Sequence, residues 1–256
     1  MRNLQRILSK TTSYTKTIID FTTTIMKYFS RSTFLSSVFA LGILLISSIG
    51  CASKQNEARS SEVKATEVKE VLDPNKTYEH ATFALGCFWH SEEIFLEIKG
   101  VKDALPGYSG GAEENPSYEM VSTGNTGYAE SVDVTYDPSV ISYSKLLEVF
   151  FAEHDPTTPN YAAPDEGPQY RSVIFYRNDD QKKQAEAYIA KLTASHKFSG
   201  PIITQVSPFT KFYKAEDYHI RYFRNHPSGQ SYIDHVTKPE VEKFRKDFPE
   251  LVKAGL

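Results

Sequence analysis

Two cysteines occur in this 256-residue chain, Cys51 and Cys87. Only Cys87 stands in a pattern that could make it a nucleophile. Thr82 to Leu85 reads as a short buried strand, and Gly86 ends it. Helical spacing over Ser91–Lys99 puts Ile94, Phe95 and Ile98 on one face, with Gly100 as the stop. Cys87 is thereby placed at a helix N-terminus. Free N–H groups and the helix dipole favour an anion there, so the thiol pKa is expected to fall. The same junction is expected to expose the sulfur at the sheet edge. A lone cysteine is more often a buried structural residue, and it is the strand–Gly–Cys–helix position that favours the reactive reading. Phe88 and Trp89, the only tryptophan of the chain, follow directly. Taken alone they read as core aromatics; beside a nucleophile they could wall a small apolar pocket.

Four polar residues fall on loops or strand starts: Tyr118, Glu130, Asp165 and Tyr170. Glu130 lies in Tyr128-Ala129-Glu130-Ser131-Val132, where burial is expected. A buried carboxyl keeps its proton to higher pH and can act as a general acid near neutrality. Each tyrosine, taken singly, is more often structural than catalytic.

The elements that would carry these residues interleave irregularly. Val101–Gly107 is a candidate strand, Tyr108–Pro116 a loop, and Ala129–Tyr136 an alternating, half-buried strand. Ser142 fits the N-cap of a helix burying Leu146, Leu147, Phe150 and Phe151. Asp155–Gln169 reads as a long loop, Tyr170–Tyr176 as a strand, Asp179–Lys197 as a helix and Ile202–Val206 as a strand. Ala215–Arg224 and Pro239–Lys253 read as helices. The pattern predicts one α+β domain with a mixed β-sheet packed with helices, and no internal repeat.

Composition narrows the function classes. Hydrophobic residues make up 40% and charged residues 24%, ordinary for a globular protein, with 16 Tyr and 16 Phe to fill a core. Of the 29 Lys/Arg and 32 Asp/Glu, residues 1–50 hold six and one, which leaves the rest of the chain at −8. So acidic a body argues against nucleic-acid binding. Two cysteines make no disulfide framework, and no Cys/His cluster has zinc spacing, so no metal site is expected.

The residues around Cys87 carry a family resemblance. Gly86-Cys87-Phe88-Trp89 is the signature of type A peptide methionine sulfoxide reductases. Pro106–Gly111, Asn115–Val121, Gly124–Glu130, Tyr136-Asp137-Pro138, His154–Thr157 and Gly167–Ser172 resemble that family's later segments in order. Phe209–Asp217 with the following Tyr-His resembles its late segment. The resemblance covers roughly residues 78–238. Tyr128 stands where His is usual, Pro168 where Thr is usual, and Tyr161–Pro164 departs from the common polar version. No cysteine follows Cys87, whereas many members carry one or two resolving cysteines near the C-terminus; here that stretch reads His226–Ile233.

The resemblance implies a ferredoxin-like two-layer sandwich core and a reaction. Cys87 would attack the sulfur of methionine S-sulfoxide, free or in oxidised proteins, and become a sulfenic acid. Phe88 and Trp89 would hold the methyl group, Tyr118 and Tyr170 would donate hydrogen bonds to the oxygen, and Glu130 would protonate it. Asp165 would support the polar network around the substrate. No cofactor is implied. The electrons would come from an external thiol: a thioredoxin-like protein, a glutaredoxin system or a small thiol. A monomer is expected. One rival is a cysteine hydrolase pairing Cys87 with His154-Asp155; another is a non-catalytic envelope lipoprotein.

The N-terminus reads as targeting rather than fold. Phe34–Ile49 is an uncharged, mostly apolar run preceded by Lys27 and Arg31 and followed by Gly50-Cys51. The preceding region becomes ordinary in length if translation starts at Met26. Gly50-Cys51 resembles a bacterial lipoprotein signal in which the cysteine is acylated, although Ser48 stands where Leu is usual. The alternative is an uncleaved signal anchor, since Ser32–Ser53 is uncharged and a span needs ~20 residues. Residues 51–77 read as a lipid-anchored, solvated tether and 78–256 as the catalytic domain with a helical tail. Either anchor would hold the domain in the cell envelope, facing the periplasm or exterior.

Overall fold

The computed structural model describes residues 72–255. The targeting segment, Cys51 and most of the expected tether lie outside the described residues.

The chain enters strand β1 (Glu79–Leu85), turns at Gly86 into helix α1 (Phe88–Glu97), and returns through strand β2 (Val101–Ser109). A short helix α2 (Tyr118–Ser122) precedes strand β3 (Ala129–Tyr136), and helix α3 (Tyr143–Ala152) follows it. A small hairpin, β4 (Tyr161–Ala162) and β5 (Asp165–Glu166), turns at the cis Ala163–Pro164 peptide. Then come strand β6 (Ser172–Tyr176), helix α4 (Asp179–Ala194) and strands β7 (Gln205–Pro208) and β8 (Phe212–Lys214). The last segment holds helices α5 (Tyr222–Asn225) and α6 (Lys238–Asp247).

Six strands form one mixed sheet in the order β7-β6-β1-β3-β2-β8. All neighbours are antiparallel except β6 and β7. The expected α+β architecture with a mixed sheet is therefore present. The main core lies where α1, α3 and α4 cover the sheet, around Phe83, Leu85, Ile94, Phe95, Val132 and Phe150. The opposite face carries a smaller cluster of Ala84, Ala129, Val173 and Phe175.

Strand periodicity explains where Glu130 points. Phe83 pairs with Val132 across β1 and β3. Side chains alternate along a strand, so Glu130 shares the main-core face with Val132, Val134 and Tyr136, beneath the start of α1. Helix starts follow their caps: Ser142 accepts from Lys145 N at 3.2 Å and Asn178 from Gln181 N at 2.8 Å.

Several boundaries differ from the sequence expectation. The helix after Cys87 begins at Phe88, three residues early. The expected loop at Tyr108 loses two residues to β2, and β6 begins at Ser172 because Pro168–Tyr170 winds into a 3-10 turn. The expected helix over Ala215–Arg224 is broken at Arg221, whose φ is 55°. Its amide and guanidinium are both drawn onto Glu92, at 2.9 and 2.6 Å. The last helix stops at Asp247 rather than running to Lys253, because Pro249 disfavours helical geometry at Phe248. Of the expected tether, residue Lys76 pairs with Asp137 at 2.8 Å, so the chain is held to the domain just before β1.

Candidate active site

Cys87 occupies the N-cap of α1, as the sequence suggests. Gly86 makes the turn with φ +105°, and a Cβ there would come within 2.6 Å of Ala162 Cβ, so only glycine fits. Two expectations about the sulfur need correction. β1 is an interior strand, and Cys87 is 7% exposed, so the thiol is buried at a strand end rather than exposed at a sheet edge. Its pKa is also pushed well up, not down. Burial is the main cause and the Glu130 carboxyl adds to it; the Trp89 amide at the helix start and the Tyr232 hydroxyl pull the other way. The magnitudes explain the outcome. A helix terminus contributes up to ~2 kcal/mol, whereas full burial moves a pKa by up to about 3–5 units, or roughly 4–7 kcal/mol.

Glu130 behaves as expected. It is 2% exposed, and its Oε2 accepts a hydrogen bond from the Phe88 amide at 3.1 Å. Burial raises its pKa to about 8, against the pull of that amide and with a further push from Asp165. At neutral pH it is a neutral acid beside the thiol. Tyr118, at the start of α2, and Tyr170, at the end of the 3-10 turn, act electrostatically with Glu130, Cys87 and Asp165. Burial holds Tyr118 up at about 12 and Tyr170 higher still, so both are hydrogen-bond donors. Asp165, on β5, is half-buried and its pKa is raised by that burial.

The aromatic pair splits in two. Phe88 is buried, its ring 4.9 Å from His219 and 5.9 Å from Tyr108. Trp89 is half-buried, stacked on Tyr222 at 3.8 Å and donating its indole N–H to His219 Nδ1 at 3.0 Å. The structure thus brings Cys87, Glu130, Tyr118, Tyr170 and Asp165 within electrostatic reach of one another, with the Phe88 amide on Glu130 and the Trp89 amide on Cys87.

Three neighbours escaped the sequence reading. The Tyr232 hydroxyl donates to Asp165 Oδ2 and draws the Cys87 pKa down. His219 lies 4.5 Å ring to ring from Tyr118. Glu216 accepts from the Tyr118 amide at 2.8 Å and from the Tyr108 hydroxyl at 2.9 Å. The late motif containing Glu216 and His219 could have flagged those two. Nothing in spacing distinguishes Tyr232 from the other tyrosines.

A Cys–His hydrolase needs a histidine on the sulfur. His154 is turned away: Nδ1 faces Phe150 O at 2.8 Å and Nε2 faces Ser172 Oγ at 2.7 Å. The groups acting on Cys87 are Glu130, Tyr232, Asp165 and the Trp89 amide. A buried thiol beside a neutral carboxylic acid and phenols, with no imidazole among the groups acting on it, is a thiol site of the acid-bearing class rather than of the Cys–His class.

Comparison with known proteins agrees with that class. The sequence profile described as peptide methionine sulfoxide reductase matches residues 79–251. A peptide methionine sulfoxide reductase MsrA of Polynucleobacter asymbioticus is 46% identical over 186 residues, covering 72% of this chain and 97% of that protein. One from Sulfolobus acidocaldarius is 49% identical over 172 residues, covering 67% and 96%. Among solved structures, reduced Mxr1 from Saccharomyces cerevisiae aligns with a TM-score of 0.58 at 36% identity, covering 63% of this chain and 92% of that one. Methionine sulfoxide reductase A of Corynebacterium diphtheriae aligns at 0.57 and 32% identity, covering 64% and 82%. The chain belongs to the peptide methionine sulfoxide reductase family, a family of oxidoreductases.

Proposed function

We propose that this protein reduces methionine S-sulfoxide, free or in oxidised proteins, with Cys87 as the nucleophile. The observation that carries the reading is Glu130, a buried carboxyl kept neutral beside the sulfur. Trp89 and Phe88 hold the methyl group. Tyr118 and Tyr170 donate to the sulfoxide oxygen, Glu130 protonates it, and Asp165 orders the polar side of the pocket. The Cys87 thiolate attacks sulfur, methionine leaves, and the oxygen stays on Cys87 as a sulfenic acid. Two equivalents of an outside thiol then restore the cysteine, giving one disulfide and one water. A thioredoxin-like protein, a glutaredoxin system or a small thiol fits this step, because Cys51 is the only other cysteine in the chain.

The apolar run before Gly50-Cys51 supports a lipoprotein acylated at Cys51, with its domain in the cell envelope, where it repairs oxidised proteins as a monomer. The Cys51 sulfur is then a thioether and cannot resolve Cys87.

Turnover of the two methionine sulfoxide epimers with a small dithiol tests the reading. The S epimer alone should be reduced, and Cys87→Ser should abolish turnover while keeping the fold. Equal use of both epimers, or turnover by Cys87→Ser, would sink it.

A further inference from the structure

Tyr118 as donor and Glu130 as acid act on the same sulfoxide oxygen, yet they sit on elements of very different firmness. Glu130 is on β3, an interior strand of the six-stranded sheet. Tyr118 opens α2, a helix of five residues in which only Val121 is buried. So short a helix does not hold its own geometry in water, and its first amides have no partner within the helix. The place of Tyr118 must be fixed from elsewhere.

Glu216, which follows β8, does this. Its Oε1 accepts from the Tyr118 amide at 2.8 Å, across 98 positions of sequence. Its Oε2 accepts from the Tyr108 hydroxyl at 2.9 Å. Tyr108 is fully buried on β2 and pairs directly with Glu130 on β3. Residues opposite each other on antiparallel strands project to the same face, so Tyr108 stands beside Glu130. Burial pushes the Glu216 pKa up, but the Tyr118 amide, its own amide and the Tyr108 hydroxyl outweigh it, and the net shift is downward. An ionised carboxylate only accepts hydrogen bonds, which suits two donors.

The backbone that delivers Glu216 is itself held on both sides. Lys214 pairs with Gly107 of β2, the Ala215 amide donates to Pro106 O at 2.9 Å, and Glu216 O accepts from the His219 amide at 2.9 Å. The turn so made lays the His219 ring 4.5 Å from the Tyr118 ring. We propose that Glu216 is a positioning residue for sulfoxide reduction: its carboxylate joins the short helix bearing Tyr118 to the strand beside Glu130, and so sets the working separation of the two groups that meet the sulfoxide oxygen. Glu216 touches neither substrate nor sulfur and acts through Tyr118.

This inference rests on the proposed role of Tyr118, and the test separates the two. Single-turnover formation of the sulfenic acid is followed by rapid mixing for the wild type, Glu216→Leu, Glu216→Gln, Tyr118→Phe and the Glu216→Leu/Tyr118→Phe double variant. Glu216→Leu removes both hydrogen bonds and should slow the step by about 10²-fold, the loss expected when a reacting group is misplaced by roughly 1 Å. Glu216→Gln should recover most of the rate, because its oxygen can still take the Tyr118 amide and its NH₂ can donate to the Tyr108 oxygen. Tyr118→Phe should slow the step by about 10²-fold, as loss of a donor to the developing charge does. With the phenol gone, Glu216→Leu should cost no more than about twofold further, the coupling that residues acting as one unit show. Losses that multiply in the double variant, a Glu216→Leu rate within about twofold of wild type, or a Glu216→Gln rate as low as that of Glu216→Leu would overturn this inference alone. A Tyr118→Phe rate within about twofold of wild type would overturn the role of Tyr118 and the inference with it. If Glu216→Leu does not fold, Glu216→Asp, which draws the carboxylate back by one methylene, runs the same cycle under the same criteria.

Discussion

Helix α1 borders buried carboxyls of two kinds, and their neighbours decide what each does. At its N-terminus lies Glu130, 2% exposed, with one backbone amide on it and no cation within ion-pair distance among the described residues. Along the helix itself, Glu92, Glu93 and Glu97 are as deeply buried, and each has an arginine: Arg221, Arg224 and Arg245. Glu92 receives the Arg221 amide on both oxygens and the guanidinium at 2.6 Å; Glu97 receives Arg245 through Nε at 2.8 Å and Nη2 at 2.5 Å. Burial pushes Glu130 up to about 8, and it also raises Glu93 and lifts Glu92 to about 7, where the arginines pull part of the way back toward the carboxylate. An isolated buried carboxyl becomes an acid; a paired one becomes an anchor that straps the C-terminal segment over the active site.

The comparison can be broken at either end. Glu130→Gln should slow sulfoxide reduction by roughly 10²–10⁴-fold, with a smaller loss at acid pH where solvent supplies the proton. In the wild type the acid function should fade as pH rises through about 8. The stability consequence has a definite sign. Between the ordinary value of 4.5 and about 8, the folded chain keeps the Glu130 proton and the unfolded chain does not. This group's contribution is full below 4.5 and is lost as pH climbs through about 8. Urea denaturation of Glu130→Gln should therefore show less weakening with rising pH than the wild type. A small, pH-independent rate loss would move the acid role onto the tyrosines.

At the paired end, Arg221→Met leaves Glu92 and Asp103 without their cation. Breaking a buried pair from one side costs about 3–5 kcal/mol, which denaturation should report directly. A loss below 1 kcal/mol would mean that Glu92 is as neutral as Glu130, and the contrast between the two regions would fail. Smallest of all should be Ser142→Ala, distant from both regions, which removes the cap on Lys145 N and should cost about 1 kcal/mol with activity unchanged.

Much of this was legible in the residues, and the misses share a cause. β3 is Ala129–Tyr136 as its alternation indicates, the Ser142 cap is in place, and Cys87, Glu130, Tyr118, Tyr170 and Asp165 lie within electrostatic reach of one another. Local patterns govern those features. The thiol's pKa direction was misjudged because the helix terminus is visible in sequence, while the burial that outweighs it depends on the whole fold. Arg221 breaks a segment of good helical spacing because Glu92, 129 positions away, holds it. Tyr232 was missed for the same reason: its partner Asp165 is 67 positions distant, and no spacing rule connects them.

The central claim, that Cys87 alone carries the oxygen away from methionine sulfoxide, is tested most directly by intact mass after one turnover without reductant. The account predicts one oxygen added at Cys87, captured by a sulfenic-acid reagent, with one methionine released per chain. A chain that instead loses two hydrogens, joining Cys51 to Cys87, or that releases methionine with Cys87 unmodified, would contradict it.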